Sequence, residues 1–102
     1  MLDMMKKLQQ AKAEMDKIKE RLDSITVEGT SPQNKIKVTC NGNRVIKGID
    51  IADDELMNDK DMMEDFLVLA VNDALQKAEK VNESEMRSAA STMMPGLGGM
   101  FG

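Results

Sequence analysis

Met1, Met4, Leu8, Ala11, Met15, Ile18, Leu22 and Ile25 recur at alternating intervals of three and four residues. A 3.5-residue period sustained this long predicts an amphipathic helix with a narrow apolar seam, ending at Asp23 or Ser24. Asp3 falls in its first turn, where a negative charge suits the helix dipole. From Ile25 the pattern turns to period two. Ile25, Val27 and Gly29 alternate with Thr26, Glu28 and Thr30, and β-branched residues become frequent, which predicts a first strand. Ser31-Pro32-Gln33-Asn34 supplies a turn, after which Ile36, Val38 and Cys40 alternate with Lys35, Lys37 and Thr39 as a second strand. Asn41-Gly42-Asn43 offers residues that tolerate positive φ, as a tight hairpin requires, and Arg44 to Ile51 returns as a third. Val45, Ile49 and Ile51 share one face of that strand. Lys47 falls on the same alternation, so either its stem crosses the core rim or Gly48 marks a bulge that resets the register.

Asp53 to Met57 reads as a short helical turn or a loop. Asp59 or Asp61 then caps a long second helix, with Glu64 placed three residues after Asp61 as in a capping box. Met63, Phe66, Leu67, Ala70, Val71, Ala74, Leu75, Ala78 and Val81 form a wide apolar stripe on it, and Val68 and Leu69 carry apolar character onto the opposite side. One sheet face cannot cover all of this. The surplus predicts a homodimer whose interface centres on Phe66, Leu67, Val68, Leu69 and Val71. Met93-Met94-Pro95-Gly96-Leu97-Gly98-Gly99-Met100-Phe101-Gly102 cannot hold regular structure, which predicts one domain over residues 1–91 and a flexible tail over 92–102. The fold class is therefore α+β: a long amino-terminal helix, a three-stranded antiparallel meander and a long carboxy-terminal helix.

Composition narrows the function. The 102 residues include no histidine and one cysteine, Cys40, which removes the usual general base, zinc sites built from Cys and His, and any intrachain disulfide. A binding protein without catalytic apparatus or cofactor is expected, in a reducing cytoplasm. The first residues show no signal peptide, and the longest strongly apolar run, Phe66 to Val71, is too short to span a bilayer, so no membrane role is expected. Eleven methionines against two phenylalanines suit helix packing and adaptable apolar surfaces, which leaves open a protein-binding adaptor with an unknown protein partner. The net charge of −4 is unevenly spread: residues 1–51 carry ten basic and seven acidic side chains, residues 52–102 four and eleven.

With this order of elements assembled, the chain resembles the YbaB/EbfC family of bacterial nucleoid-associated proteins. The likeness rests on Met4-Met5-Lys6-Lys7 with Gln9-Gln10, on Val27-Glu28-Gly29, on Val38-Thr39 leading into Asn41-Gly42-Asn43, and on Ile49-Asp50-Ile51. It continues through Glu64-Asp65 and Asn72-Asp73-Ala74 to Pro95-Gly96-Leu97 and Met100-Phe101. The resemblance implies a non-catalytic homodimer in which sheets and long helices join, helical arms that project like tweezers, and binding of double-stranded DNA in the nucleoid.

Phosphates attract Lys and Arg whatever the base sequence. Lys12, Lys17 and Lys19 alternate with Glu14, Asp16 and Glu20 at helix-pair spacings, which a solvated face explains. Lys6 and Lys7, opposed only by Asp3, are better placed for DNA, and Gln9 and Gln10 offer amides to phosphates or base edges. Lys12 from the same helix and Arg87 from the far end of the second complete the candidate contacts, since these ends would form the prong tips. Lys35, Lys37, Arg44 and Lys47 read as charges that discourage strand aggregation. The carboxylates from Asp53 to Asp65 lack the spacing of a calcium loop and are accounted for by helix capping, so no metal is expected.

Overall fold

The computed structural model describes residues 2–93. Helix α1 spans Leu2–Ser24, strands β1, β2 and β3 span Thr26–Thr30, Ile36–Asn41 and Ile46–Ile51, and helix α2 spans Lys60–Met93. The strands form an antiparallel meander in the order β1-β2-β3. The expected α+β architecture is therefore present. The long α2 continues helical to Met93, and the rest of the expected tail lies outside the described residues.

The first connection is closed by Ser31, whose buried hydroxyl accepts the Ile36 N–H at 2.9 Å, while Gln33 and Asn34 take left-handed backbone at φ 61° and 55°. In the second, Arg44 N–H donates to the Asn41 carbonyl at 3.0 Å and Asn41 N–H to the Val45 carbonyl at 3.0 Å. This is a three-residue hairpin loop, a turn followed by one left-handed residue. That residue is Arg44, at φ 64°, and not one of the Asn41-Gly42-Asn43 set the sequence offers for it. Gly42 is required for space instead: a Cβ there would stand 2.8 Å from Leu22 Cδ2 and 2.9 Å from the Leu22 carbonyl oxygen. The third strand consequently starts at Ile46, two residues after the position expected.

Cys40 pairs with Ile46, yet Thr39 pairs with Gly48, which leaves Lys47 as an extra residue on β3. Of the two readings of Lys47, the bulge is the one observed. Partners across an antiparallel pair point to the same face, so Ile46, Ile49 and Ile51 lie on the side of Cys40, Val38 and Ile36. Val45 belongs to the other side, which corrects the sequence expectation. The bulge shifts the alternation by one residue between Ile46 and Ile49.

Helix α2 lies across β1 and β2. Ile36, Val38 and Cys40 are fully buried against Ala70, Ala74 and Ala78, with Leu56 from the short 3-10 turn Asp54–Asn58 closing one end. Three alanines at intervals of four bring the helix backbone close to the sheet. Gly29 meets it: a Cβ on Gly29 would overlap the Ala74 backbone nitrogen and stand 2.5 Å from the Ala70 carbonyl oxygen. Each fully buried Ile or Val contributes about 1.5–3 kcal/mol, but only at this spacing. Asp59 caps α2 by accepting the Met62 N–H at 3.1 Å, so Met62 holds the third helical position and no Asp61–Glu64 capping box forms.

The molecule is elongated, 64 × 25 × 18 Å. Arg21 pairs with Glu85 at 3.1 Å, and Glu14 and Thr92 line the same cleft, so α1 and α2 run antiparallel where they touch.

Candidate nucleic-acid interface

The base of α1 is fixed by the β2–β3 turn. The Leu22 carbonyl, one of the orphan acceptors at a helix end, receives Gly42 N–H at 2.9 Å, and Asn43 Nδ2 donates to the Lys19 carbonyl at 2.9 Å. Asp23 accepts from the side-chain amides of both Asn43, at 2.6 Å, and Asn41, at 3.3 Å. Asn41 is buried, and its Oδ1 accepts the N–H groups of Asn43 and Val45 at 2.9 and 3.1 Å. On the opposite side Asn82 of α2 donates to the Gly42 carbonyl at 3.0 Å. One turn thus joins the end of α1, the sheet and the middle of α2. Its role in holding α1 is not among the sequence expectations; the signal for it is two asparagine amides, Asn41 and Asn43, beyond what a hairpin turn uses.

Above that base, Ile18 and Leu22 are buried while every residue from Leu2 to Gln10 is exposed. The amino-terminal half of α1 is therefore an arm. Lys6, Lys7, Gln9, Gln10 and Lys12 all stand on it, exposed. Helical periodicity places Lys6, Lys7 and Gln10 within roughly a third of the circumference, with Gln9 and Lys12 on an adjoining side. Lys17 pairs with Glu14 at 3.3 Å and Arg21 with Glu85, whereas Lys6, Lys7, Lys12 and Arg87 enter no ion pair among the described residues. Arg87 is not brought to the same place. The Arg21–Glu85 pair sets it level with the base of the arm, roughly 20 Å along the helix axis from Lys6.

Charge is segregated along the long axis. The carboxylates from Asp53 to Asp65 cluster around the start of α2, at the opposite end of the molecule from the tip of α1. That separation is several times the Debye length of about 8 Å at physiological salt, so the acidic end does little to repel an anion at the arm. No group of three or more His, Cys, Asp or Glu able to hold a metal occurs among the described residues. Asp53 is engaged locally: the Glu55 N–H and then the Lys35 ammonium at 3.2 Å hold its carboxyl below the usual range. Lys35 also stands 6.0 Å from the centre of the Phe66 ring. Burial pushes the Cys40 thiol up, which leaves it an inert core group.

The two flanks of the sheet differ. On the β1 side, Asp73 accepts the Thr30 N–H at 2.9 Å and Lys77 donates to the Glu28 carbonyl at 3.0 Å, the two being paired at 3.1 Å. On the β3 side, Ile49, Leu67, Val68, Val71 and Asn72 line an open apolar groove between strand and helix. Ile49 is 51% and Val68 59% exposed there. Of the five expected interface residues, Leu67, Val68 and Val71 come together in this groove, Phe66 packs against the core, and Leu69 is exposed outside the groove lining. Ile49 joins them across the sheet, with Ile46 on the same face.

A family model described as the YbaB/EbfC DNA-binding family matches residues 1–93. The chain belongs to that family. Curated relatives agree in length as well as sequence. A nucleoid-associated protein of Flavobacterium johnsoniae is 37% identical over 98% of this chain and 93% of its own length. A nucleoid-associated protein of Chlorobium phaeobacteroides is 39% identical over 92% of this chain and 84% of its own. Among solved structures, an uncharacterized protein from Helicobacter pylori superposes with a TM-score of 0.65 at 26% identity, covering 76% of this chain and 90% of that one. YbaB/EbfC membership fits the expectation of a DNA-binding role without catalysis. No helix among the described residues is long and apolar enough to cross a membrane.

Proposed function

We propose that the protein is a nucleoid-associated protein of the bacterial cytoplasm that binds double-stranded DNA as a homodimer, with little sequence discrimination and mainly through phosphates. The observation that carries the DNA reading is the family match over residues 1–93. The exposed cations on the α1 arm, remote from the acidic end, supply a physical route to it. Lys6 and Lys7 at the arm, with Lys12 below them, are the phosphate contacts; Gln9 and Gln10 add hydrogen bonds, and Arg87 touches DNA only where a duplex also lies along α2. Two chains joined through the groove of Ile49, Leu67, Val68 and Val71 put two arms in one particle, which multiplies weak contacts without new ones. Phe66 supports that groove from the core, and Leu69 lies at its periphery.

Salt dependence tests the reading. If Lys6, Lys7 and Lys12 of both chains neutralise phosphates, the logarithm of the binding constant falls against the logarithm of salt with a slope of about −5. Lys6→Glu with Lys7→Glu weakens binding alike on unrelated duplexes, with the circular dichroism spectrum unchanged. Absence of binding at low salt, or a slope near zero, contradicts the proposal.

A further inference from the structure

The apolar seam of α1 is covered in its carboxy-terminal half and bare in the other. Ile18 and Leu22 are 9% and 1% exposed, while Leu8 and Met4 farther along the same seam are 67% and 70% exposed. At about 100° per residue, Lys7 stands about 60° to one side of Met4, and Lys12 lies about 40° beyond Leu8 on the other. A strip of Met4, Leu8 and Ala11 is thus edged on both sides by lysines that enter no ion pair among the described residues. Asp3 and Asp16, one turn from Lys7 and Lys12 respectively, fall on the outer flanks of those lysines, away from the strip.

This edging selects the occupant. Two bare arms laid seam to seam, parallel or antiparallel, set lysine against lysine, and like charges at those positions repel. The complement is a polyanion with an apolar interior. The minor groove of a duplex is built that way, with sugars and base edges between two lines of phosphates. We infer that Met4 and Leu8 form an apolar wedge that enters the minor groove and partly unstacks a base step, while Lys7 and Lys12 reach the phosphates on either side. Leucine and methionine are among the side chains that proteins insert between base pairs, and the insertion kinks the duplex and untwists it locally. The inference rests on the DNA-binding reading. To phosphate contact it adds an apolar one, whose consequence is a deformed duplex.

Closing a nicked plasmid with DNA ligase under saturating protein tests it, because local untwisting is then trapped as a change in linking number. The parent is compared with Met4→Ala/Leu8→Ala and with the swapped Met4→Leu/Leu8→Met. All these residues are good helix formers on an exposed face, so the arm keeps its structure. The parent is expected to lower the linking number, and the swapped variant to lower it equally. The alanine variant is expected to give a shift at least fivefold smaller, while binding duplex within tenfold of the parent and with the same salt slope. A parent that binds and leaves the linking number unchanged overturns the wedge and spares the DNA reading, whereas a parent that binds no DNA overturns both. An alanine variant that shifts the linking number as the parent does also overturns the wedge. So does one whose particle mass without DNA falls below the parent's in sedimentation, which assigns the seam to a second copy.

Discussion

The two flanks of one small sheet are finished in different ways. Along β1 the free edge is occupied by the side chains of Asp73 and Lys77, and Gly29 lets the α2 backbone settle directly on the strand. Along β3 nothing among the described residues plays that part: Ile46 and Ile49 face the same side as the buried Val38 but remain exposed, Ile49 in one groove with Val68. A flank closed by its own side chains is complete. A flank that leaves branched aliphatic residues in an open groove is stable in water when a second surface covers it. The difference separates the part of the molecule that its own side chains close from the part that, in the proposed homodimer, the same groove of a second copy covers.

The closed flank can be broken most severely at Gly29. Gly29→Val is expected to destabilise the chain by about 3 kcal/mol or more, measured by urea unfolding, because the new side chain meets helix backbone and not a side chain that can turn aside. A variant within about 0.5 kcal/mol of the parent shows that α2 does not depend on this approach. Asn41→Ala is next, at about 2 kcal/mol, since it leaves the N–H groups of Asn43 and Val45 without their acceptor and releases Asp23. Asp73→Ala removes the bond to the Thr30 N–H and the pair with Lys77 at about 1 kcal/mol.

That last contribution depends on pH. The Thr30 N–H, and after it the Lys77 ammonium, hold the Asp73 carboxyl below its ordinary value, so the folded state binds its proton less readily than the unfolded chain. The stabilisation is complete above the ordinary aspartate pKa of about 3.9 and is lost as pH falls through the lower folded value. Parent and Asp73→Ala should therefore converge in stability in acid and differ at neutral pH. A constant gap down to pH 2 contradicts the assignment.

Much of this is legible in the amino-acid sequence. The change from a 3.5-residue period to alternation at Ile25 locates the end of α1, and Ala70, Ala74 and Ala78 within the apolar stripe mark the buried face of α2. The β3 flank was not legible, because alternation reports the facing of a strand only while its register is unbroken. One extra residue at Lys47 moved Ile46 into the groove face and Val45 out of it. Gly29 looked like an ordinary inward strand position, since the need for a missing Cβ arises from a helix 45 residues away in sequence, at Ala74. The arm lysines were identified by type and local charge, but their separation from Arg87 follows from how α1 and α2 align.

Sedimentation equilibrium of the parent and of Val68→Asp, at micromolar concentration, tests the central contrast most directly. Val68 is exposed within the single chain, so the substitution leaves its fold intact while placing a charge in the groove. The expected result is a dimeric parent and a folded, monomeric variant with an association constant at least a hundredfold lower. A monomeric parent, or a variant that dimerises as well as the parent, contradicts the account.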